Sequence, residues 1–433
     1  MNLACRIDPR KASAGCRQIS LAVALLLPPG PFMPMSIAAD VQSAPVSAGS
    51  LMEAVTSGTM LLNVRPRFEQ VQQDGKREDA EAFTNRLLAG WRTLPYHGFS
   101  VTAEMINVFR IGDQHYNDTP VASPRYPTVA DPEMTDVNQL FVDYTGMPQT
   151  LVRFGRQSLK LDNTRYVGNV EFRQVMQVFN GLYVENRSLP GVEVDYAHFD
   201  RVRNVFAQQL QTEIDLVRAA WTFMPGSQAV GFAYFQDQPI TGQNTGFANN
   251  SNSIVGLRVN GAIPLAGEWK VLYTGEVARQ DAHAGGDPRI DATYSRLGGG
   301  MGWGKTFVRA DYERLGSNHG QYAFQTPLGT NHLFQGWADQ FLTTPKTGIR
   351  DAWVSAGTAF NDVAFYTEFH RFDADFGTAN YGHEWDLGVT YPFLKQLLGK
   401  IEYADFREGD VLAPATARKR DTRKLWLTLI YNY

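Results

Sequence analysis

The stretch KLWLTLIYNY, residues 424–433, alternates between two sets of side chains. One set comprises Leu425, Leu427, Leu429, Tyr431 and Tyr433, and the other comprises Lys424, Trp426, Thr428, Ile430 and Asn432. Side chains two positions apart lie on the same face of a β-strand. The stretch therefore predicts a strand with one apolar face that ends in two tyrosines, rather than a frayed polar tail.

The composition narrows the class of protein. The 433 residues are 43% hydrophobic, 12% aromatic and only 19% charged, which excludes a disordered chain. The mean hydropathy of -0.28 is too polar for a helical membrane protein. No segment holds the roughly 18 continuous apolar residues that a transmembrane helix needs.

Alternation of apolar and polar residues recurs along most of the chain. In residues 62–69 the even positions are Leu, Val, Pro and Phe, and the odd positions are Asn, Arg, Arg and Glu. In residues 384–393 the apolar residues likewise occupy the odd positions, from Trp385 to Phe393. Period-two patterns of this length predict strands with one apolar and one polar face. About eighteen strands are predicted, at residues 58–73, 80–94, 98–112, 136–146, 149–160, 171–187, 191–205, 212–223, 228–238, 252–264, 267–281, 291–302, 304–315, 349–360, 362–374, 384–394, 398–409 and 422–433.

The connections between these strands are short on one side and longer on the other, as in an outer-membrane barrel. A soluble propeller or sandwich is the alternative, but sandwich strands average only about 5–6 residues. The prediction is an all-β, transmembrane, antiparallel up-and-down β-barrel in a Gram-negative outer membrane. Because the strand number is even, both termini are expected on the periplasmic side. Lipid would surround the barrel, and Tyr433 would lie in the periplasmic aromatic girdle.

The first 39 residues resemble an export signal. A basic region is followed by the apolar run at residues 19–27 and by small residues, which predicts cleavage after Ala38 or Ala39. The predicted organisation is a signal peptide at 1–39, a periplasmic segment at 40–57 and the barrel at 58–433. Both cysteines, Cys5 and Cys16, precede the apolar run, so no disulfide and no thiolate metal site is expected. From residue 40 onward, 36 Lys and Arg stand against 43 Asp and Glu, a net charge of -7.

The polar faces predict a water-filled lumen with charges of both signs, each of which either pairs within the wall or contacts solute. Two long loops are candidate gates. Residues 316–348 are rich in aromatic side chains and predict either a plug in the barrel mouth or an extracellular cap. Residues 113–135 are the second candidate.

Several motifs are set aside. Residues 299–306 fit a phosphate-loop pattern. Phosphate binding by such a loop needs a helix directly after it, but an alternating strand follows here. A glycine-rich turn is therefore predicted. The pair His383-Glu384 lacks the second histidine of a zinc motif. No catalytic residue, metal or cofactor is predicted, and the absence of a basic tract argues against nucleic acid as a partner. A barrel lipase remains a third possibility.

One region carries a family resemblance. Arg153 to Asp162 read RFGRQSLKLD, and the pattern continues through Arg165 to EFRQ at 171–174 and FNG at 179–181. This pattern resembles the alginate export family of outer-membrane barrels, as does the stretch FQTPLGTNHLFQGWADQFLTTPKTGIRDAW. The resemblance covers the chain from about residue 58.

The resemblance implies an eighteen-stranded channel with an arginine-rich constriction, through which an anionic polysaccharide or oligosaccharide passes. Fixed cations would replace the counterions of such a solute. The residues matching the family pattern are Arg153, Arg156, Arg165 and Arg173, and alternation adds Arg65, Arg67 and Arg86. Arg153 and Arg156 both face the lumen only if Gly155 marks a bulge.

An outer-membrane exporter is expected to have two kinds of protein partner, and one alternative function is kept. The terminal strand resembles the signal read by the outer-membrane assembly machinery. An exporter would also meet periplasmic secretion proteins. The alternative function is a general or substrate-specific porin for small solutes.

Overall fold

Eighteen antiparallel strands form one closed sheet in the computed structural model, which describes residues 47–120, 123–237, 247–410 and 420–433. The predicted signal peptide at 1–39 and the start of the predicted periplasmic segment, residues 40–46, lie outside the described residues. The fold is the all-β up-and-down barrel that the alternation predicts.

The barrel is built from every strand in chain order except β14 and β15, which pair with each other inside a loop. The strands are β1 (Thr59–Gln73), β2 (Ala80–Arg92), β3 (Phe99–Arg110), β4 (Met134–Tyr144), β5 (Thr150–Gln157), β6 (Val178–Asn186), β7 (Val192–Arg203), β8 (Gln209–Met224), β9 (Ser227–Asp237), β10 (Asn252–Pro264), β11 (Trp269–Ala282), β12 (Asp291–Trp303), β13 (Thr306–Leu315), β14 (Ser317–Asn318), β15 (Tyr322–Ala323), β16 (Ile349–Phe360), β17 (Val363–Asp373), β18 (Asn380–Leu394), β19 (Leu397–Glu408) and β20 (Thr422–Asn432).

The barrel closes where β1 pairs with β20. Phe68 lies opposite Leu427 in this antiparallel ladder, and Asn63 donates a side-chain hydrogen bond of 2.7 Å to Asn432. β1 pairs with β2 on its other side. Each strand of the described sheet is therefore paired on both sides, and no strand edge is left to face the hydrocarbon core of the membrane.

The two faces of the wall differ as predicted. Leu427 is 43% exposed on the outside, whereas the adjacent Trp426 is fully buried on the inside. On β18, Trp385 is 51% exposed and its neighbour Asp386 is fully buried. An apolar outer surface over a polar, charged interior is the pattern of a barrel in a bilayer.

The longest predicted strand is wrong at its start. β6 begins at Val178, and residues 171–177 belong to the loop before it. Gln174 in this loop donates to the Arg65 carbonyl at 3.1 Å and to the Thr84 hydroxyl at 3.0 Å, so the segment is docked on the wall instead of lying within it. Its alternation reflects docking contacts and not a strand.

Two smaller boundaries also differ. β12 extends to Trp303, one residue beyond its predicted end at 302, and within the glycine-rich motif only Gly304 and Lys305 form the turn to β13. β18 starts at Asn380, four residues earlier than predicted.

A short helix, α1 (Leu51–Thr56), precedes β1. The Ser50 side chain caps it by accepting from the Glu53 amide at 3.1 Å. The Trp91 indole at the end of β2 donates to the Val55 carbonyl at 2.8 Å, which fixes the helix against the short-turn end of the barrel. Among the described residues, no helix is long and apolar enough to cross a membrane.

Two loops fold into the lumen. Residues 158–177 connect β5 to β6, and residues 316–348 connect β13 to β16. Trp337 of the second loop stacks on Tyr366 of β17 with ring centroids 5.9 Å apart, and Phe341 packs on Phe372 at 4.8 Å. Both wall residues face the lumen, so the 316–348 loop packs inside the barrel.

Candidate functional site

Two arginines on adjacent strands of the barrel wall lie directly opposite each other without a carboxylate partner. Arg65 on β1 lies directly opposite Arg86 on β2, and both are buried. Within the described ranges, no carboxylate oxygen lies within 4.0 Å of either guanidinium. Arg86 donates to the Asn63 side-chain oxygen at 2.9 Å, and its Nη1 has no hydrogen-bond partner there. Like charges directly opposite in a sheet repel each other.

The 158–177 loop covers this wall with its main chain. Arg65 donates to the carbonyl of Glu171 at 2.7 Å and also to the carbonyl of Arg173. Arg67 donates to the carbonyl of Phe172 at 2.5 Å. Three successive neutral carbonyl groups therefore occupy the arginine donors.

Arg67, unlike its neighbours, is neutralised. It ion-pairs with Asp131 of the β3–β4 loop at 2.5 Å and with Glu69 at 3.3 Å. Burial alone would raise the pKa of Asp131, but Arg67 and Arg173 outweigh it and hold that pKa below its usual value. Asp131 also accepts a hydrogen bond of 2.8 Å from the Gln174 backbone N–H. The β3–β4 loop therefore contacts both the arginine wall and the 158–177 loop.

Asp339 joins the two inward loops to the wall. It pairs with Arg173 of the other loop at 3.0 Å, with Lys424 of β20 at 2.7 Å and with His332 at 2.7 Å. Burial would raise the pKa of Asp339, but Lys424, the hydrogen bond with His332, and Arg173 lower it well below its usual range. Burial lowers the pKa of His332, whose ring stacks on Phe172 with centroids 3.4 Å apart.

A second basic group holds the start of the 158–177 loop. Arg218 on β8 and Arg258 on β10 both contact Asp162 at 2.7 Å. Although burial opposes ionisation, the two guanidinium groups lower the pKa of Asp162. Sequence alternation did not single out Arg218, because its neighbours on the lumen face, Leu216 and Ala220, are apolar.

Arg165 extends from the same loop toward the opposite part of the wall. It lies 3.1 Å from Glu313 of β13 and 4.5 Å from the ring centroid of Phe334. The guanidinium is almost completely buried, so it acts as an internal strut between the two loops and β13.

The wall formed by β13 and β16–β18 is acidic. Its buried carboxyl groups are those of Asp311, Glu313, Asp351, Glu368, Glu384 and Asp386. The 316–348 loop docks on them: the Ala338 amide donates to Glu384 at 2.6 Å, and the Gln335 side chain donates to Glu313. The inward loops thus bridge a basic and an acidic part of the wall.

Arg153 and Arg156 lie on opposite faces of β5. Arg153 is opposite Asp143 and Arg156 is opposite Leu140, and the ladder shows no shift at Gly155. Arg153 contacts Asp143 at 2.6 and 2.9 Å. Arg156 shares a strand face with the exposed Phe154 and has its own ion pair.

The structure therefore brings together only part of the predicted arginine set. Arg65, Arg67, Arg86 and Arg173 belong to one contact network at β1, β2 and the 158–177 loop. Arg165 points away toward β13, and Arg153 and Arg156 have separate ion pairs at 2.6 Å with Asp143 and at 3.0 Å with Asp136. Lys424, Arg218 and Arg258 are the additional loop-holding cations.

Known structures share this architecture. OccAB2 of Acinetobacter baumannii superposes with a TM-score of 0.67 at 13% identity, covering 88% of this chain and 99% of that chain. OpdO of Pseudomonas aeruginosa gives 0.64 at 15% identity, with 88% and 98% covered. OpdK of Pseudomonas aeruginosa, solved with vanillate, gives 0.64 at 13% identity, with 86% and 99% covered. At these identities the likeness concerns the fold.

The sequence comparisons identify the family. No curated protein sequence matches the chain significantly. The Alginate export family profile matches residues 59–307, more than half of the chain and the first twelve strands of the barrel, β1 to β12. Together with the closed eighteen-stranded wall, this match shows that the chain is an outer-membrane, porin-like β-barrel channel that belongs to the alginate export family.

Proposed function

We propose that the barrel passively conducts an anionic saccharide, polymer or oligomer, along the wall that carries Arg65 and Arg86. The observation that supports this most strongly is the direct opposition of these two buried arginines without a carboxylate partner. A guanidinium pair of this kind gains most from an anion that lies between both groups.

The 158–177 loop supplies the reason why the arginines can exchange partners. Its carbonyl groups carry no net charge, whereas a carboxylate adds charge–charge attraction and can accept two parallel N–H bonds from one guanidinium. A uronate carboxylate can therefore displace the carbonyls of Glu171 and Arg173 from Arg65. The loop would then move aside as the solute passes.

The neighbouring cations make Arg65 and Arg86 the selective pair. Arg67 and Arg173 are neutralised by Glu69, and Arg67 also pairs with Asp131. A solute that bound these residues would have to break existing ion pairs. At Arg65 and Arg86 it meets unneutralised charge, which gives selectivity for anions.

The test is single-channel conductance of the refolded barrel in a planar bilayer. Wild-type channels should be anion-selective and should be blocked by an oligouronate but not by a neutral oligosaccharide of equal length. The double variant Arg65→Gln/Arg86→Gln should lose most of that block. The control Arg279→Gln/Arg289→Gln removes two arginine charges from exposed ion pairs, with side chains 55% and 51% exposed, and should behave as wild type.

Cation selectivity, or currents that ignore the uronate, would overturn the proposal. A second candidate, a substrate-specific porin for small carboxylates, is supported by the likeness to OpdK, whose structure contains vanillate. The two candidates differ in the length of solute preferred. Block by a monomeric uronate as strong as by the oligomer would favour the small-solute porin.

A further inference from the structure

A second cluster of charged side chains lies apart from the arginine wall. Glu368 and His370 are two positions apart on β17, and Asp386 on β18 lies directly opposite Glu368. We propose that these three residues bind a divalent transition-metal ion on the lumen side of the wall. The set combines one imidazole with two carboxylates, which are ordinary ligands of Zn²⁺ and its neighbours in the first transition row.

The separation of the ligand atoms suits a metal ion. His370 Nε2 lies 3.3 Å from Glu368 Oε2 and 3.9 Å from Asp386 Oδ2, and all three atoms lie within 4.8 Å of one another. Ligands bound about 2.1 Å from a tetrahedral metal are about 3.4 Å apart. Only a small inward movement of Asp386 is needed.

The orientation of His370 is already set by a second carboxylate. Its Nδ1 lies 2.9 Å from Asp351 Oδ2 on β16, and the ring stacks on Trp353 with centroids 5.5 Å apart. Metal-binding histidines almost always donate their other ring nitrogen to a carboxylate or carbonyl in this way. Asp351 is therefore a positioning residue, and Nε2 is left for the metal.

The charge around the cluster is incompletely balanced by the protein. Glu368 and Asp386 are buried carboxyl groups directly opposite in the sheet, where two negative charges would be unfavourable without a cation. In the part of the chain that is described, no Arg or Lys nitrogen lies within 4.0 Å of their carboxylates or of Glu384. Asp386 Oδ1 and Glu384 Oε2 are buried and have no hydrogen-bond partner there.

The same carboxylates hold the 316–348 loop. The Trp337 amide lies 3.4 Å from Asp386 Oδ2, and the next amide, of Ala338, donates to Glu384. A metal bound to Asp386 would thus lie beneath the docked loop, and a water molecule would supply its fourth ligand.

The experiment is calorimetric titration of Zn²⁺ into the untagged, chelator-treated barrel in detergent. Wild type should bind one ion per barrel. Glu368→Gln and His370→Gln should weaken binding at least 100-fold, and Asp351→Asn should weaken it about 10–100-fold. His198→Gln is the matched control, because His198 forms a similar pair with Asp215 at 3.0 Å on the exposed surface and should leave binding unchanged.

Heat-dependent gel mobility shows which variants have folded. X-ray absorption of the Zn²⁺-loaded wild type provides a test that needs no variant, with one imidazole nitrogen expected among the ligands. Absence of saturable binding, absence of the imidazole, or unchanged binding in a folded His370→Gln barrel would overturn the site.

Discussion

Arg173 and Asp339 belong to two different loops and form a buried ion pair of 3.0 Å inside the barrel. Lys424 on the wall contacts the same Asp339 oxygen at 2.7 Å. One carboxylate therefore links the 158–177 loop, the 316–348 loop and strand β20. This link makes the docking of both loops sensitive to a single side chain.

Asp339→Asn should release the 316–348 loop from the wall. Removing one partner from a buried ion pair costs about 3–5 kcal/mol, which changes the docking equilibrium more than about 100-fold. Larger or noisier single-channel currents are expected. The chain lacks cysteine after residue 40, so faster thiol labelling of Ala338→Cys, at a buried loop position, reports undocking directly.

The control for this variant is Asp281→Asn, which breaks an exposed pair with Arg279 at 2.9 Å. Exposed pairs contribute about 0.2–1 kcal/mol, so labelling should hardly change. Equal labelling in both variants would show that Asp339 does not hold the loop.

Acidic pH should loosen the same loop through His332. Burial lowers the pKa of His332 from its ordinary value of 6.5. Below pH 6.5 the undocked loop takes up a proton that the docked loop accepts only at lower pH, so docking weakens as the pH falls through this window. Labelling of Ala338→Cys should accelerate there. His332→Gln, which can still donate to Asp339, should remove the acceleration; its persistence would assign the effect to another group.

Gly336→Ala should displace the loop from the acidic wall. Gly336 has φ +79, and an added Cβ would lie 2.4 Å from the Glu384 carboxylate. Gly377→Ala is the control, since Gly377 has φ +93 but open space around it, so both variants share the backbone strain and only one clashes. Higher conductance is expected for Gly336→Ala alone. Identical currents from the two variants would mean that the clash is absorbed without loop movement.

Leu297→Lys should destabilise the barrel in lipid. Leu297 lies midway along β12 and is 73% exposed on the outer face, where a lysine at the bilayer midplane costs about 2–4 kcal/mol. Leu51 of α1 is 66% exposed outside the barrel wall, and Leu51→Lys should cost almost nothing. Guanidinium unfolding in vesicles measures both, and equal stability of the two variants would contradict the placement of the apolar band.

Alternation predicted the barrel well because each wall residue has only two possible surroundings. The pair Trp385 and Asp386 shows this, since one side chain needs lipid and the other does not tolerate it. Arg65, Arg67 and Arg86 were placed in the lumen by the same reasoning. A local pattern is sufficient for such positions.

Whether the long loops pack inside the barrel or over its mouth could not be predicted from alternation. The aromatic residues of 316–348 would suit a cap as well as an interior position, and only contacts such as Trp337 on Tyr366 distinguish the two. The face of Arg156 depended on the ladder register at Gly155, which is a property of neighbouring strands. Likewise, Glu368 and Asp386 form a cluster only because the register places them opposite each other.

The three carbonyls that cover the arginine wall have a consequence for which solutes can enter. They belong to one tethered segment, so they compete as an internal ligand whose effective concentration is high. A single carboxylate can replace one carbonyl while the others keep the segment in place. Under the proposed function, we expect a chain bearing several carboxylates at regular spacing to replace them together, so that longer polyanions would compete better than short ones with the barrel's own backbone.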